Sequence, residues 1–173
     1  MVLPHLASAL SPARWLTGNA TDAEDVVQDA AIRAFRSIDT LRDGQPRAWL
    51  LSIVRNTTFT WLAKNRPKTL LVTNDEKIFE QAEAHIFATP QDRSAETELI
   101  AKADVDLLQR EIAALPLSYR EVLVLREFEG MNYRDIAALM SIPVGTVMSR
   151  LSRARAVLIE NIGKAQLQEK KHK

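Results

Sequence analysis

Residues 132–155 read NYRDIAALMSIPVGTVMSRLSRAR, and this stretch decides the fold of the second half of the chain. Two short helical patterns flank a tight turn that contains Gly145. Pro143 suits the opening of the second helix, where the N–H that proline lacks would have no partner. The second pattern carries Arg150, Arg153 and Arg155. A basic helix after a tight turn predicts a helix-turn-helix, whose second helix fits the major groove of DNA.

The spacing of apolar residues separates the two faces of this second helix. Val147, Leu151 and Leu158 are predicted to face the core, which leaves polar side chains on the outside. These outward residues are Thr146, Ser149, Arg150 and Arg153. Hydroxyl groups suit phosphates or base edges, and arginine binds guanine through two hydrogen bonds. An ordinary helical hairpin with a basic solvent face is the alternative, but the joint pattern of turn, Pro143, Gly145 and spaced arginines favours DNA binding.

Charge is distributed unevenly, although the formal net charge of the 173 residues is only +1. Residues 141–173 contain seven Lys or Arg against two Glu, whereas residues 22–29 contain four acids and no base. Such asymmetry indicates two partners of opposite charge, one acidic and one basic. Solvated helix faces are the alternative explanation of both runs.

The composition argues against several classes of site. Cysteine is absent, so a disulfide framework or a thiolate metal site is impossible, which fits a reducing compartment. His5, His85 and His172 lack the spacing of metal ligands, and no phosphate loop or nucleophile elbow is recognisable. No apolar run approaches membrane-spanning length, and the N-terminus lacks the pattern of a secretory signal. We therefore expect a cytoplasmic protein that is not an enzyme and needs no metal or cofactor.

Scarce glycine and little strand-like alternation predict an all-α fold of two small helical domains. The first domain is expected over 1–66 and the second over 93–165. A flexible linker is predicted for 67–92, where no periodicity is sustained, and a frayed basic tail for 166–173.

Helix boundaries follow from capping residues and prolines. In the first domain, helices are predicted near 4–17, with Pro12 as a potential break, over 22–38 and over 46–65. Capping boxes are predicted at Thr21 and Ser118, with a weaker version at Asn132. Two inward-facing stripes are expected, the first formed by Val27, Ala31 and Phe35 and the second by Leu50, Ile53, Val54, Thr57 and Trp61.

The predicted helix over 22–38 has an acidic face. Asp22, Asp25 and Asp29 follow a helical spacing, and Gln28 lies beside them. Acids in the first turn complement the positive end of the helix dipole, which accounts for Asp22 and Glu24. Asp29 lies beyond the first turn, and a basic protein surface is its natural partner.

A polar stripe is predicted on the helix over 46–65. Ser52, Asn56, Thr60 and Lys64 recur every four residues, and Arg55 lies alongside. Amide, hydroxyl and basic groups in a row suit unpaired bases and phosphates. A plain solvated face explains the stripe equally well.

Two sets of motifs resemble the bacterial sigma factors, in the order that this family has them. The chain resembles region two of these factors at three places: DAEDVVQD at 22–29, AFR at 34–36 and RAWLLSIVRN at 47–56. Region four is resembled by LP at 115–116, by parts of 119–137, by PVGTV at 143–147 and by Ser149-Arg150 with RAR at 153–155. Two blocks without a middle domain resemble the small extracytoplasmic-function group.

The resemblance implies a transcription factor that binds core RNA polymerase and promoter DNA. Asp25, Gln28 and Asp29 would dock on the clamp of the largest polymerase subunit, and the flap would be a further polymerase contact. The −10 strand would be held by the loop 39–47 together with Arg47, Arg55, Asn56, Thr60 and Lys64. The −35 element would be contacted by Arg126, Tyr133, Arg134, Thr146, Met148, Ser149, Arg150, Ser152 and Arg153. An anti-sigma factor would cover both blocks.

Three positions depart from the pattern of the family. Met148 stands where many relatives carry Lys or Arg, and Ser152 stands where some carry a bulky residue. Ser11-Pro12 interrupts a first helix that is usually continuous. Two other functions compete: a dimeric helix-turn-helix regulator that binds operator DNA alone, and a helical adaptor that acts only through protein–protein contacts.

Overall fold

The computed structural model describes residues 3–41, 45–66 and 105–171, and these residues contain helices but no β-strand. The linker predicted for 67–92 and the predicted start of the second domain lie outside the described residues. The all-α class is therefore confirmed. None of the described helices is long and apolar enough to cross a membrane.

The described residues of the first block, 3–41 and 45–66, contain three helices. They are α1 (Leu3–Thr17), α2 (Ala20–Arg36) and α3 (Pro46–Asn65), with a short 3-10 turn over Ile38–Thr40. Small side chains of α1 and α2, among them Ala9, Ala23 and Ala30, pack with Leu50 and Val54 of α3 in one core. Because alanines let the helix backbones approach closely, this block buries a compact interior with few large residues.

Three details of the first block differ from the sequence predictions. Helix α1 runs through Pro12 without a break, because this proline is buried together with its neighbour Ala13. Asn19, rather than Thr21, caps α2, and its side-chain oxygen accepts from the backbone N–H of Thr21 at 2.8 Å. Phe35 is 83% exposed instead of inward, so the predicted stripe was wrong at this position.

In the second block, residues 105–171 are described, and they contain four helices. They are α4 (Val105–Ala114), α5 (Leu117–Leu123), which continues into a π-helical turn (Val124–Phe128), α6 (Tyr133–Met140) and α7 (Val144–Lys171). Ile136 of α6 packs in one core with Val147, Leu151 and Leu158 of α7. The inward face predicted for α7 is thus confirmed.

Turns in the second block rest on two residues with left-handed backbone conformations. Gly130 has φ 64° after the π-helical turn, a conformation that glycine adopts without strain. Ser141 has φ 57° and ends α6, whereas Gly145 lies within α7, so the expectation of a glycine in this turn was wrong. The cap of α6 is Asn132, which accepts from the N–H of Asp135 at 2.9 Å, as predicted.

Two other boundaries of the second block differ from the predictions. Ser118 does not cap α5, because the helix begins at Leu117 with Pro116 at the cap position. A frayed tail was expected over 166–173, but helix α7 continues to Lys171. Buried Ile162, at 0% exposure, anchors this extension on the second core.

The two blocks pack against each other. Leu51 of α3 belongs to the core of the second block, and Trp15 of α1 packs on its edge. The rings of Trp15 and Phe128 lie 5.0 Å apart, centroid to centroid. Arg120 donates to the backbone carbonyl of Trp15 at 3.2 Å. Apolar and polar contacts therefore both hold α1 and α3 against α5.

Candidate functional site

The acidic face of α2 is exposed beyond its first residue, Asp22, which is half-buried. Asp25, Gln28 and Asp29 are all exposed, because the alanines and valines of the opposite face fill the first core. Asp29 pairs with Arg33 one turn later at 3.0 Å, an exposed helical pair of small energetic weight. The three acceptor side chains are thus presented together to the solvent.

Two apolar residues extend this acidic face, and neither was predicted to lie there. Ile32 is 53% exposed and Phe35 is 83% exposed. They follow Asp25, Gln28 and Asp29 at helical spacings of three and four residues, which places them on the same side of α2. Large exposed apolar side chains beside a polar rim are typical of protein–protein contacts. The spacing alone was sufficient to find them, but Phe35 was assigned to the core.

The polar stripe of α3 lies outside the contact between the blocks. Asn56, Thr60 and Lys64 are exposed. Ser52 is half-buried and donates its hydroxyl to the carbonyl of Trp49 at 2.6 Å, and Thr60 donates likewise to Asn56 at 2.8 Å. An exposed amide and an exposed ammonium therefore remain as the most accessible groups of the stripe.

Arg55, the basic residue beside this stripe, is engaged by the second block. Its guanidinium forms an ion pair with Glu121 of α5 and also lies 4.7 Å from the ring centre of Phe59. The side chain of Glu121 is 3% exposed. Burial raises the pKa of Glu121, and the hydrogen bond from Arg55 acts in the opposite direction.

Arg47 makes a second bridge between the blocks. Its guanidinium donates to the carboxylate of Glu129 at 2.8 Å and to the backbone carbonyl of the same residue at 2.7 Å. The Glu129 side chain is only 4% exposed, whereas that of Arg47 is 41% exposed. Of the five residues predicted for the −10 strand, these two arginines thus face carboxylates of the other block.

The outer face of α7 carries no charge near its start. Gly145, Met148, Ser149 and Ser152 are all exposed, and they share one side of the helix by their spacing. Met148 is 52% exposed. Thr146 is half-buried. The outward face therefore presents hydroxyls and a thioether.

The arginines of α7 lie beside this neutral face. Arg150 and Arg153 are half-buried, and Arg153 donates to the hydroxyl of buried Tyr119 at 3.4 Å. Arg150 interacts electrostatically with Glu121. Arg155 pairs with Glu127. The prediction that Arg150 and Arg153 lie fully outward is therefore only partly right, because the neighbouring helix α5 supplies partners for both.

The remaining residues predicted for the −35 element surround the start of α6. Arg126 donates to the carbonyl of Met131 at 2.8 Å, and its guanidinium lies 5.0 Å from the ring centre of Tyr133. Arg134 is exposed. This local network fixes Tyr133 at the start of the helix-turn-helix.

These residues form three surfaces rather than one pocket. The acidic face is on α2, the polar stripe is on α3, and the helix-turn-helix is α6 with α7. Within the described residues, no group of three His, Cys, Asp or Glu side chains is arranged to hold a metal ion. Separate, open surfaces are suited to macromolecular partners.

Two family models match the chain, one for each block. The family described as sigma-70 region 2 matches residues 1–68. The family described as sigma-70, region 4 matches residues 106–158. The two matches coincide with the blocks that carry the acidic face and the helix-turn-helix.

Two curated relatives are similar to most of this chain. The RNA polymerase sigma-H factor of Pseudomonas aeruginosa is 36% identical over 143 residues, which are 81% of this chain and 72% of that protein. The ECF RNA polymerase sigma-E factor of Escherichia coli K12 is 33% identical over 141 residues, which are 79% of this chain and 72% of that protein.

Two solved structures share the architecture. The sigma factor RpoE of Bartonella quintana, solved with the anti-sigma factor NepR, superposes with a TM-score of 0.68 at 23% identity and covers 94% of each chain. At this identity the likeness shows the fold alone. CnrH, solved with the cytosolic domain of CnrY, gives a TM-score of 0.56 at 27% identity over 97% of this chain and 85% of that one.

Proposed function

We propose a function from a family membership: this chain belongs to the extracytoplasmic-function RNA polymerase sigma factors of the sigma-70 family. In this proposal it binds core polymerase and directs it to a two-part promoter. One observation carries this proposal: a single chain joins an exposed acidic helix face in one block to an exposed helix-turn-helix in the other. A regulator that binds operator DNA alone has no need of the first surface. A helical adaptor has no need of the second.

The acidic face of α2 is the proposed contact with the polymerase clamp. Asp25, Gln28 and Asp29 would meet basic residues, and the exposed rings and methyl groups of Phe35 and Ile32 would add apolar contact area. Charged rims steer association and fix register, whereas buried apolar residues supply most of the affinity. This division of roles is supported by the 83% exposure of Phe35, which is otherwise unfavourable in water.

The first block is also proposed to hold the −10 strand. Asn56, Thr60 and Lys64 offer an amide, a hydroxyl and a positive charge along one exposed line of α3, and Arg47 and Arg55 lie beside it. Unpaired bases need stacking and edge contacts, and their phosphates need cations. Both arginines must exchange their carboxylate partners, Glu129 and Glu121, for nucleic acid before they take part.

The second block is proposed to place the start of α7 in the −35 major groove. The exposed end of α7 would face the base edges, and Arg126, Tyr133, Arg134, Arg150 and Arg153 would lie towards the phosphates. Phosphate contacts orient a protein on the duplex, and groups within the groove select the sequence. We also propose that the domains extend over 1–66 and 93–165, that the protein acts in the cytoplasm, and that an anti-sigma factor covers both blocks. RpoE of Bartonella quintana, which shares the fold, was solved in complex with an anti-sigma factor.

Run-off transcription with purified core polymerase and a genomic promoter library tests this function. We expect the chain to direct start sites that share a −35 and a −10 element, and we expect little binding of the isolated chain to the same duplexes in gel shifts. Tight binding of operator-like duplex by the chain alone would instead indicate a classical regulator. Loss of all promoter-specific transcription would favour an adaptor.

A further inference from the structure

The exposed face at the start of α7 differs chemically from an arginine-rich recognition helix. Its members are Gly145, Met148, Ser149 and Ser152, all exposed and none charged. Val144, 38% exposed, adds a second apolar side chain one turn before Met148. Guanine is recognised best by arginine or lysine through its O6 and N7 atoms. No such side chain lies on this line of the helix.

The nearest arginines are held at the side of this face. Arg153 donates to the hydroxyl of Tyr119, a residue that is 1% exposed, and Arg150 interacts electrostatically with buried Glu121. Their half-buried positions suit contacts with the phosphate backbone that borders a groove. The centre of the groove would then meet the thioether of Met148 and the hydroxyls of Ser149 and Ser152.

We propose that Met148 determines −35 specificity by packing against the C5-methyl group of a thymine in the major groove. The inference rests on the proposed promoter-binding function and concerns the same surface. The thymine methyl is the one apolar group that the major groove displays, and it distinguishes T·A from all other base pairs. Methionine is flexible and polarisable, so it adapts its shape to such a group. Ser149 and Ser152 would accept or donate hydrogen bonds at neighbouring bases.

The alternative occupant of this face is a protein, since exposed apolar residues also mark protein contacts. Three observations favour DNA. The face lies on the second helix of a helix-turn-helix matched to sigma-70 region 4. It is bordered on one side by two half-buried arginines, Arg153 and Arg150. Its small serines leave room for the close approach that a groove requires.

The test removes one methyl group from the DNA and, separately, the thioether from the protein. First, holoenzyme reconstituted from core polymerase and this chain selects −35 sequences from a randomised promoter pool. Each selected thymine is then replaced with deoxyuridine, which lacks only the C5-methyl group, and the rate of open-complex formation is measured. We expect one replacement to reduce the rate about three- to fivefold, as expected for losing the burial of one methyl group.

Met148→Ala should abolish this sensitivity, so that thymine and deoxyuridine promoters become equal at that position. Leu167→Ala is the matched control, because Leu167 is another exposed apolar residue of α7, at 62% exposure, about 28 Å farther along the helix. It should retain the full difference between thymine and deoxyuridine.

Equal effects of deoxyuridine on the wild type and on Met148→Ala would overturn the proposal while leaving promoter selection intact. A selected −35 element without any thymine-dependent position would overturn it as well. Failure of the holoenzyme to select any promoter would overturn both this inference and the proposed function, so the two failures are distinguishable.

Discussion

Arg55 of α3 and Glu121 of α5 form an ion pair that joins the two helical blocks across 66 residues of sequence. The Glu121 side chain is 3% exposed and that of Arg55 is 24% exposed. A carboxylate so deeply buried depends on its cation, because an unpaired charge in this position is strongly unfavourable. Together with Arg47 and Glu129, the pair makes the packing of the blocks sensitive to charge.

The first prediction concerns this packing. We expect the double variant Arg47→Gln/Arg55→Gln to loosen the contact between the blocks, because the buried carboxylates of Glu129 and Glu121 lose their counter-charges. The chain contains no cysteine, so cysteines introduced at exposed Glu24 and Leu167 allow specific dye labelling. Energy transfer between the dyes should fall in the double variant. Glu160→Gln, which removes only the exposed pair with Lys164, should leave the transfer unchanged. Equal transfer in all three proteins would show that the pairs do not control the packing.

The second prediction concerns pH. Burial raises the pKa of Glu121 in the folded protein, so the folded state holds this proton more tightly than the unfolded state does. The resulting stabilisation is present at low pH and is lost as the pH rises through the raised pKa. The free energy of unfolding of the wild type, relative to Glu121→Gln, should therefore increase as the pH falls towards 4.5, the ordinary value.

Urea unfolding of the wild type and of Glu121→Gln at a series of pH values measures this difference in the free energy of unfolding. The contributions of the other carboxylates largely cancel, because both proteins contain them. A difference that stays constant with pH, or that decreases on acidification, would contradict the raised pKa.

The third prediction concerns the acidic face of α2. Asp25→Lys/Asp29→Lys should weaken binding of core polymerase by about tenfold or more, a change of about 1.4 kcal/mol. Both positions are exposed, so the circular dichroism of the free protein should not change. Glu160→Lys on α7 is the control, since it reverses an exposed acid away from this face. Undiminished binding of the double variant in a fluorescence titration would show that the clamp contact is elsewhere.

The fourth prediction concerns the polar stripe of α3. Lys64→Ala should weaken promoter binding by holoenzyme to a similar degree for all sequences and reduce the salt dependence of the binding constant by about one unit. Asn56→Ala should instead act selectively on some −10 sequences, because an amide contacts base edges. Lys164→Ala, an exposed lysine on α7, should leave the salt slope unchanged. A slope that responds equally to both lysines would refute the assignment.

The fifth prediction separates the two roles of Arg153. Arg153→Ala should lower −35-dependent transcription about tenfold, the loss of one charge-assisted contact, and core binding should remain intact. Tyr119→Phe removes only the hydroxyl that accepts from Arg153 and should have a smaller effect. An equal loss on promoters without a −35 element would argue against direct DNA contact.

Much of the secondary structure follows from local sequence signals. Helix α3 occupies the predicted range, Pro46–Asn65, because proline fixes its start and the residues within it favour a continuous helix. The buried face of α7 also follows from simple periodicity. Local signals failed where tertiary packing decided between alternatives: Ala30 and Ala34 are buried in place of Phe35, since close helix packing excludes the larger ring.

The candidate surfaces were predicted less completely than the helices. Spacing identifies Asp25, Gln28 and Asp29 as one face, and the structure shows all three exposed. The partners of Arg47 and Arg55 were not predictable, because Glu129 and Glu121 lie 82 and 66 residues away. Glu121 was assigned instead to a capping box, a role that needs only local sequence. The DNA and polymerase contacts themselves stay predictions.

The cross-block ion pairs have a consequence for linkage between binding events. An anionic ligand of Arg55 must displace Glu121. Binding of this ligand to the first block is therefore coupled, through one free energy, to release of the second block from the first. Such coupling is reciprocal. A partner that draws α5 away from α3 raises the affinity of Arg55 for its anionic ligand, and that ligand raises the affinity for the partner by the same factor. Binding at one surface can thus change the affinity of a distant surface through carboxylates that neither ligand touches.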